Sequence, residues 1–269
     1  MDIEKNNFGK DRLVSLMCDS AQFYQKNLYS GKAELHLKYL SERKIQDTTI
    51  KGFSLGASLD YHSLPQYLLD KGYTVEECET SGACAKASNG NLIDAQGERL
   101  IFPIINYMNE VVGFGGRAVG NNNPMKYKLT CNTVIFDRSK NLYNINLVKE
   151  LIQANTISSI IVVEGFMDAI FLYNAGFKNV VASMGTSLTK EQVQICKRYA
   201  DNMFICYDGD FVGQKANLRG FEIAKNEGVK VRVVRLPDNL DPYGVIELCG
   251  TEGFQNCLNS ATPLFKDWR

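Results

Sequence analysis

Two short apolar runs, each stopping at an acid next to a glycine, constrain this chain more than any other feature. Residues 157–163 end at Glu164 and Gly165, and residues 203–207 end at Asp208, Gly209 and Asp210. Runs of this length, rich in β-branched residues and without polar alternation, read as strands buried on both faces, the kind found in parallel sheets. Between them lie a helical segment at 166–174, a third apolar run at 179–183, and a helix with Thr189 as its cap. A long helix at 211–227 and a fourth strand at 230–235 follow. This order predicts an α/β module with a central parallel sheet flanked by helices. In such sheets ligands sit outside the carboxyl ends of the strands. Glu164, Asp208 and Asp210 are therefore expected at one edge, and the turn at 237–242 brings Asp241 to the same edge. Crowded carboxylates repel unless a cation sits among them, and oxygen donors suit Mg²⁺ or Mn²⁺. The pattern points to a phosphoryl-transfer centre in which two cations about 4 Å apart clamp the attacking and leaving oxygens. Asp168 lies one helical turn beyond Glu164. It either joins this set or serves as an N-terminal helix acid favoured by the dipole.

The 269 residues suffice for one large domain or two modest ones. No apolar run approaches the ~20 residues of a membrane helix. The polar N-terminus lacks the apolar core of a signal peptide, so a cytoplasmic protein is expected. Eight cysteines without a Cys-x-x-Cys spacing, and only two histidines, argue against zinc in this chain. Net charge is zero, which excludes a uniformly basic coat, but the distribution is uneven. Between Arg99 and Lys140 stand six basic residues (Arg99, Arg117, Lys126, Lys128, Arg138, Lys140) and two acids (Glu110, Asp137). That stretch is either a face for a polyanion or a solvated loop surface.

Ahead of the sheet, the spacing predicts a polar leader at 1–10, helices at 11–30, 33–43, 64–71 and 74–81, and a strand at 50–56. A hairpin follows at 99–106 and 111–117. Its glycines at 113, 115 and 116 allow a bulge or a close approach to a ligand. Three parts result: a mixed α+β subdomain with a basic hairpin at 1–148, the metal-binding module at 149–240, and a short helical segment at 241–269.

The segments 164–168, 182–189 and 207–216 resemble the Toprim module of bacterial DnaG-type DNA primases. So do Arg99 to Ile104, Val112 to Arg117 and Lys126-Tyr127. The likeness runs from about Ala21 to Leu264. It implies the catalytic, RNA polymerase core of such an enzyme: a nucleotidyltransferase making short RNA primers for DNA replication from ribonucleoside triphosphates on a single-stranded DNA template, without a pre-existing primer. By motif it implies Glu164, Asp208 and Asp210 as catalytic residues. It implies Glu164, Asp168, Asp208, Asp210 and Asp241 as holders of two or more Mg²⁺ or Mn²⁺ ions. Arg99, Arg117, Lys126 and Arg138 match the basic ridge for template and nucleotides. The family's zinc-binding domain and the domain that meets a replicative helicase have no counterpart in this sequence, which fits a catalytic-core fragment or a reduced relative working at the nucleoid. Tyr243 stands where the family has a second acid after Asp241-Pro242. The acids alone also fit a Toprim-type nuclease, and without chemistry the chain is a single-stranded nucleic-acid-binding module.

Overall fold

The computed structural model describes residues 9–120, 124–155, 157–185 and 187–263. These residues form two compact units that divide between Asp137 and Arg138. Most of the expected leader lies outside the described residues, and Lys10 already opens the first helix. Among the described residues no helix is long and apolar enough to cross a membrane.

The first unit contains helices α1 (Lys10–Leu28), α2 (Glu34–Glu42) and α3 (Asp47–Gly52), strand β1 (Gly56–Ser58), helices α4 (Ser63–Asp70) and α5 (Val75–Ser81), and strands β2 (Cys84–Lys86), β3 (Leu92–Asp94), β4 (Arg99–Ile105), β5 (Val111–Ala118) and β6 (Tyr127–Leu129). Leu13, Leu16, Met17 and Tyr24 recur at helical spacing on α1 and are fully buried. They face the antiparallel sheet β1-β4-β5-β6. Tyr24 meets Phe114 of β5 edge to face at 5.2 Å. Its hydroxyl donates to Asp94 at 2.7 Å, and Ser58 donates to the same carboxylate at 2.6 Å.

The strand expected at 50–56 is instead the end of α3 followed by β1. Asp47 in the first turn pairs with Lys51 at 2.6 Å, an i,i+4 contact that only a helix makes. Asn89 and Gly90 lie between two strands, β2 and β3, that are too short to show a period in the sequence.

The second unit contains α6 (Ile145–Gln153), β7 (Ser159–Val163), α7 (Phe166–Asn174), β8 (Val180–Ala182), α8 (Lys190–Lys197), β9 (Asn202–Ile205), α9 (Phe211–Asn226), β10 (Lys230–Val233) and α10 (Pro242–Asn259). The four strands are all parallel, in the order β10-β9-β7-β8, and every one coincides with an expected run. Thr189 caps α8 in a reciprocal box with Gln192. The short helical segment expected at 241–269 is one element over Pro242–Asn259, broken at Gly250, whose φ of 70° interrupts the helix. Helix α6 was not read from the sequence and belongs to this unit. Tyr143 pairs with Ala182 beside β8, and the Asn144 amide donates to the Val180 carbonyl at 2.8 Å. The division therefore falls earlier than residue 148, and residues 241–263 are part of the second unit.

In the first unit α1 and β1 meet backbone to backbone. A Cβ added to Gly56 would stand 2.5 Å from the Tyr24 Cβ and 2.7 Å from the Tyr24 backbone carbon. Neither neighbour can rotate away. Gly56→Ala is expected to destabilise this unit by about 2–3 kcal/mol, measured as a lower urea midpoint with an unchanged slope.

Candidate active site

The chain leaves β7 for β8 on one side and crosses back to β9 on the other, so the carboxyl ends of β7 and β9 flank a topological switch point. Glu164 directly follows β7. Asp208 lies in the short loop after β9, and Asp210 is the N-cap of α9. Asp241 is the N-cap of α10, with Pro242 in the first helical position. Asp168 is the third residue of α7.

Three of these acids also begin helices. Asp210 accepts the Gly213 N–H at 2.7 Å, and Asp241 accepts the Gly244 N–H at 2.6 Å. Asp168 accepts the Gly165 N–H at 3.0 Å. Of the two alternatives set for Asp168 from the sequence, the structure shows the acid at the start of the helix. Glycine makes the convergence possible. A Cβ on Gly209 would stand 2.3 Å from the Pro237 carbonyl oxygen, and the Gly209 N–H donates to Leu240 at 2.8 Å. The 237–241 turn closes on the Asp208–Asp210 loop through that gap and carries Asp241 with it. Gly213 likewise lets the first turn of α9 lie against the Asp208 backbone, where a Cβ would meet its carbonyl oxygen at 2.3 Å. After β8 the chain turns through Met184 and Gly185 at φ of 64° and 77°, and the Gly185 N–H reaches the Glu164 carbonyl at 3.2 Å. A buried methionine in the left-handed region is strained, a feature that clusters at functional sites.

The electrostatics record how close the acids are. Asp168 is pushed up to about 7, first by burial and then by the charges of Asp208 and Asp241. Asp208 is pushed up to about 6 by burial, then by Glu164, Asp241 and Asp210. Burial and Asp210 also raise Glu164. One Asp208 oxygen, Oδ1, is buried without any hydrogen-bond partner. Hard oxygen donors, mutual repulsion and an orphaned buried oxygen fit a divalent cation. Among the described residues no three such side chains form a ready-made coordination set. The chain would fill part of a coordination shell, as suits Mg²⁺, which keeps waters and takes substrate phosphates as ligands. Tyr243, in place of a further acid, packs edge to face on Phe171 at 4.3 Å and donates to Glu247 at 2.8 Å.

The basic residues separate. Arg99 pairs with Ala118 in the β4–β5 ladder, whereas Arg117 pairs with Leu100, so alternation puts the two arginines on opposite faces of the sheet. This corrects the expectation of one shared surface. Arg99 is only 4% exposed, and its Nη1 is buried without a partner. The hairpin glycines serve this packing. A Cβ on Gly116 would strike the Arg99 side chain at 2.7 Å, and one on Gly113 would press on the Phe136 ring at 3.2 Å. Lys126 is exposed just before β6. Arg138 belongs to the second unit, where its carbonyl accepts from Gln192 at 3.2 Å. Arg117 has company that the sequence did not disclose. It donates to the Tyr127 hydroxyl and stacks on the rings of Tyr39 and Tyr127 at 4.7 and 4.9 Å. Arg43 covers the Tyr39 ring at 4.1 Å.

Residues 23–149 match the family model described as the DNA primase catalytic core, N-terminal domain, and residues 161–246 match the model described as Toprim-like. A DNA primase of Clostridium acetobutylicum is 38% identical over 98% of this chain, which covers 43% of that protein. This chain thus spans less than half the length of the curated relatives it matches. The E. coli primase catalytic core superposes with a TM-score of 0.84 at 31% identity, over 93% of this chain and 80% of that one. A structure of the DnaG primase catalytic domain bound to single-stranded DNA gives 0.84 at 31% identity, over 94% and 80%.

The raised carboxyls give a pH signature. A carboxyl whose pKa is higher in the folded than in the unfolded chain keeps its proton longer when folded, so stability falls as pH rises between the two values. With ordinary aspartate near 3.9 and Asp208 and Asp168 at about 6 and 7, the metal-free second unit should lose stability from about pH 4 to pH 7 and level off above. Melting curves in EDTA across that range are expected to show the decline. Asp208→Asn should make it shallower and raise the melting temperature at pH 7.5.

Proposed function

This chain belongs to the family of bacterial DnaG-type primase catalytic cores, and on that premise we propose that it synthesises short RNA strands on single-stranded DNA from ribonucleoside triphosphates. The observation that carries the proposal is the convergence of Glu164, Asp168, Asp208, Asp210 and Asp241 at the carboxyl ends of the parallel strands, where the Gly209–Leu240 hydrogen bond joins the two aspartate turns and neighbouring charge raises Glu164, Asp168 and Asp208. Asp208, Asp210 and Glu164, with Asp241 beside them, would hold Mg²⁺ or Mn²⁺. When bound, two such ions neutralise the triphosphate and the developing charge of an in-line displacement.

The reaction is attack by the 3′-hydroxyl of one nucleotide on the α-phosphate of the next, with release of pyrophosphate. Glu164, raised by burial and by Asp210, is suited to take up the proton lost from the hydroxyl. Asp168, raised to about 7 by burial and by the neighbouring acids, ties the first turn of its helix to Gly165, the residue after Glu164. The backbone fixes the geometry, because Asp210 and Asp241 are anchored as helix caps and cannot swing away. Arg117 and Lys126 supply cations for template and nucleotide phosphates, and the exposed Tyr127 ring offers a face for a base. Arg99 supports the hairpin from inside. Work at the nucleoid in the cytoplasm follows from the same reading, whereas a replicative helicase would be met through a domain that this sequence does not contain.

Incubation of the chain with a single-stranded DNA template, ribonucleoside triphosphates and Mn²⁺ or Mg²⁺ should yield new RNA. Asp208→Asn should lower synthesis at least about 100-fold, roughly the loss of 3 kcal/mol of transition-state stabilisation, while template binding persists. Template cleavage without synthesis would replace this reading with a nuclease. Retention of DNA without either would leave a binding module.

A further inference from the structure

Neither the acid pattern nor the local charge points to Tyr39, a half-buried residue of α2. Its ring nevertheless carries two guanidinium groups. Arg43 Cζ lies 4.1 Å from the ring centroid and Arg117 Cζ lies 4.7 Å from it. The two arginines come from distant parts of the chain, one at the C-cap of α2 and the other near the end of β5. Among the described residues neither takes part in an ion pair. The Arg117 Nε is buried with no partner.

Two like charges gathered on one ring repel each other, and among the described residues no carboxylate pairs with either. The ring offsets part of that cost through its negative face. Stacking occupies the plane of a guanidinium and leaves the N–H donors at its edge, where they can take oxygen acceptors in a forked contact. A single ring therefore sets both the spacing and the tilt of two forks. A ligand with one phosphate uses one fork. A strand, with phosphates in series, uses both, and the adjacent Tyr127 ring, 38% exposed, lies where a base of the same strand can stack.

We infer that Tyr39 is a positioning residue for single-stranded nucleic acid: its ring holds Arg43 and Arg117 as a fixed pair for neighbouring phosphates of one strand. The inference rests on the function proposed above.

The test uses the full chain, a labelled oligo(dT) and a salt series, with melting curves for every variant. Tyr39→Leu keeps an apolar side chain but removes the ring face, whereas Tyr39→Phe keeps it. Leu is expected to weaken oligo(dT) binding about tenfold and to lower the slope of log affinity against log salt by about one. Phe should retain wild-type affinity and slope. Wild-type affinity and slope in Tyr39→Leu would overturn the inference alone. Failure of the unsubstituted chain to bind oligo(dT) at all would overturn the proposed function and this inference together. Losses of binding that track losses of melting temperature equally in Leu and Phe would reduce Tyr39 to packing. Should the Leu variant not fold, an Arg43→Ala and Arg117→Ala cycle decides. A double variant little worse than the weaker single supports a pair acting as a unit, and strict additivity overturns it.

Discussion

Five carboxylates crowd one edge of a four-stranded sheet, and most of the second unit is arranged to tolerate their repulsion. Strands β7 and β8 at the heart of this unit are nearly pure hydrocarbon. Ile160 to Val163 and Val180 to Ala182 are fully buried, so the driving force for the sheet is apolar burial and owes nothing to the acids. Main-chain contacts then fix what side-chain charge opposes. The Gly209 N–H bonds to Leu240, Asp210 and Asp241 are tied into the first turns of α9 and α10, and Asp168 is tied into that of α7. The cost of gathering negative charge falls on protonation instead, which is why Asp168 and Asp208 sit so far above ordinary aspartate.

In the first unit, sheet alternation sorts two arginines that a charge count treats as equivalent. Arg99 points to the side of the sheet that carries α1 and is buried there, against a strand thinned by Gly116. Arg117 emerges on the other face among tyrosines. Local net charge is thus a poor guide to surface potential here, since one of the cations in the basic stretch is interior.

The parallel sheet was legible because each strand is a short apolar run with an abrupt polar end, and the helices between them carry their own caps, as at Thr189. The acids were legible for the same reason: strand ends are the positions most easily found. What escaped the sequence lies between such signals. Helix α6 has a marked apolar face, but Asn144 in a left-handed conformation opens it without any side-chain cap. Strands β2 and β3 are three residues each, below the length at which alternation can be seen. At residues 50–56 a short helix and a short strand abut, and no single period describes both. The cluster around Tyr39 joins residues about 80 positions apart in sequence, a juxtaposition that only the closed fold creates.

Asp210 and Asp241 differ from Glu164 and Asp208 in a way that bears on descent. The first two are needed to start helices whether or not the chain performs any chemistry, and serine or asparagine could replace them as caps. A lineage that had lost the activity would still be held by selection to a small polar residue at both positions. Among the described residues no hydrogen bond ties the side chain of Glu164, and Asp208 leaves a buried oxygen unsatisfied. Their charge brings the fold only cost. In a set of related chains, those two positions should be the first to drift once the reaction is abandoned, and their retention as acids separates working copies from relics.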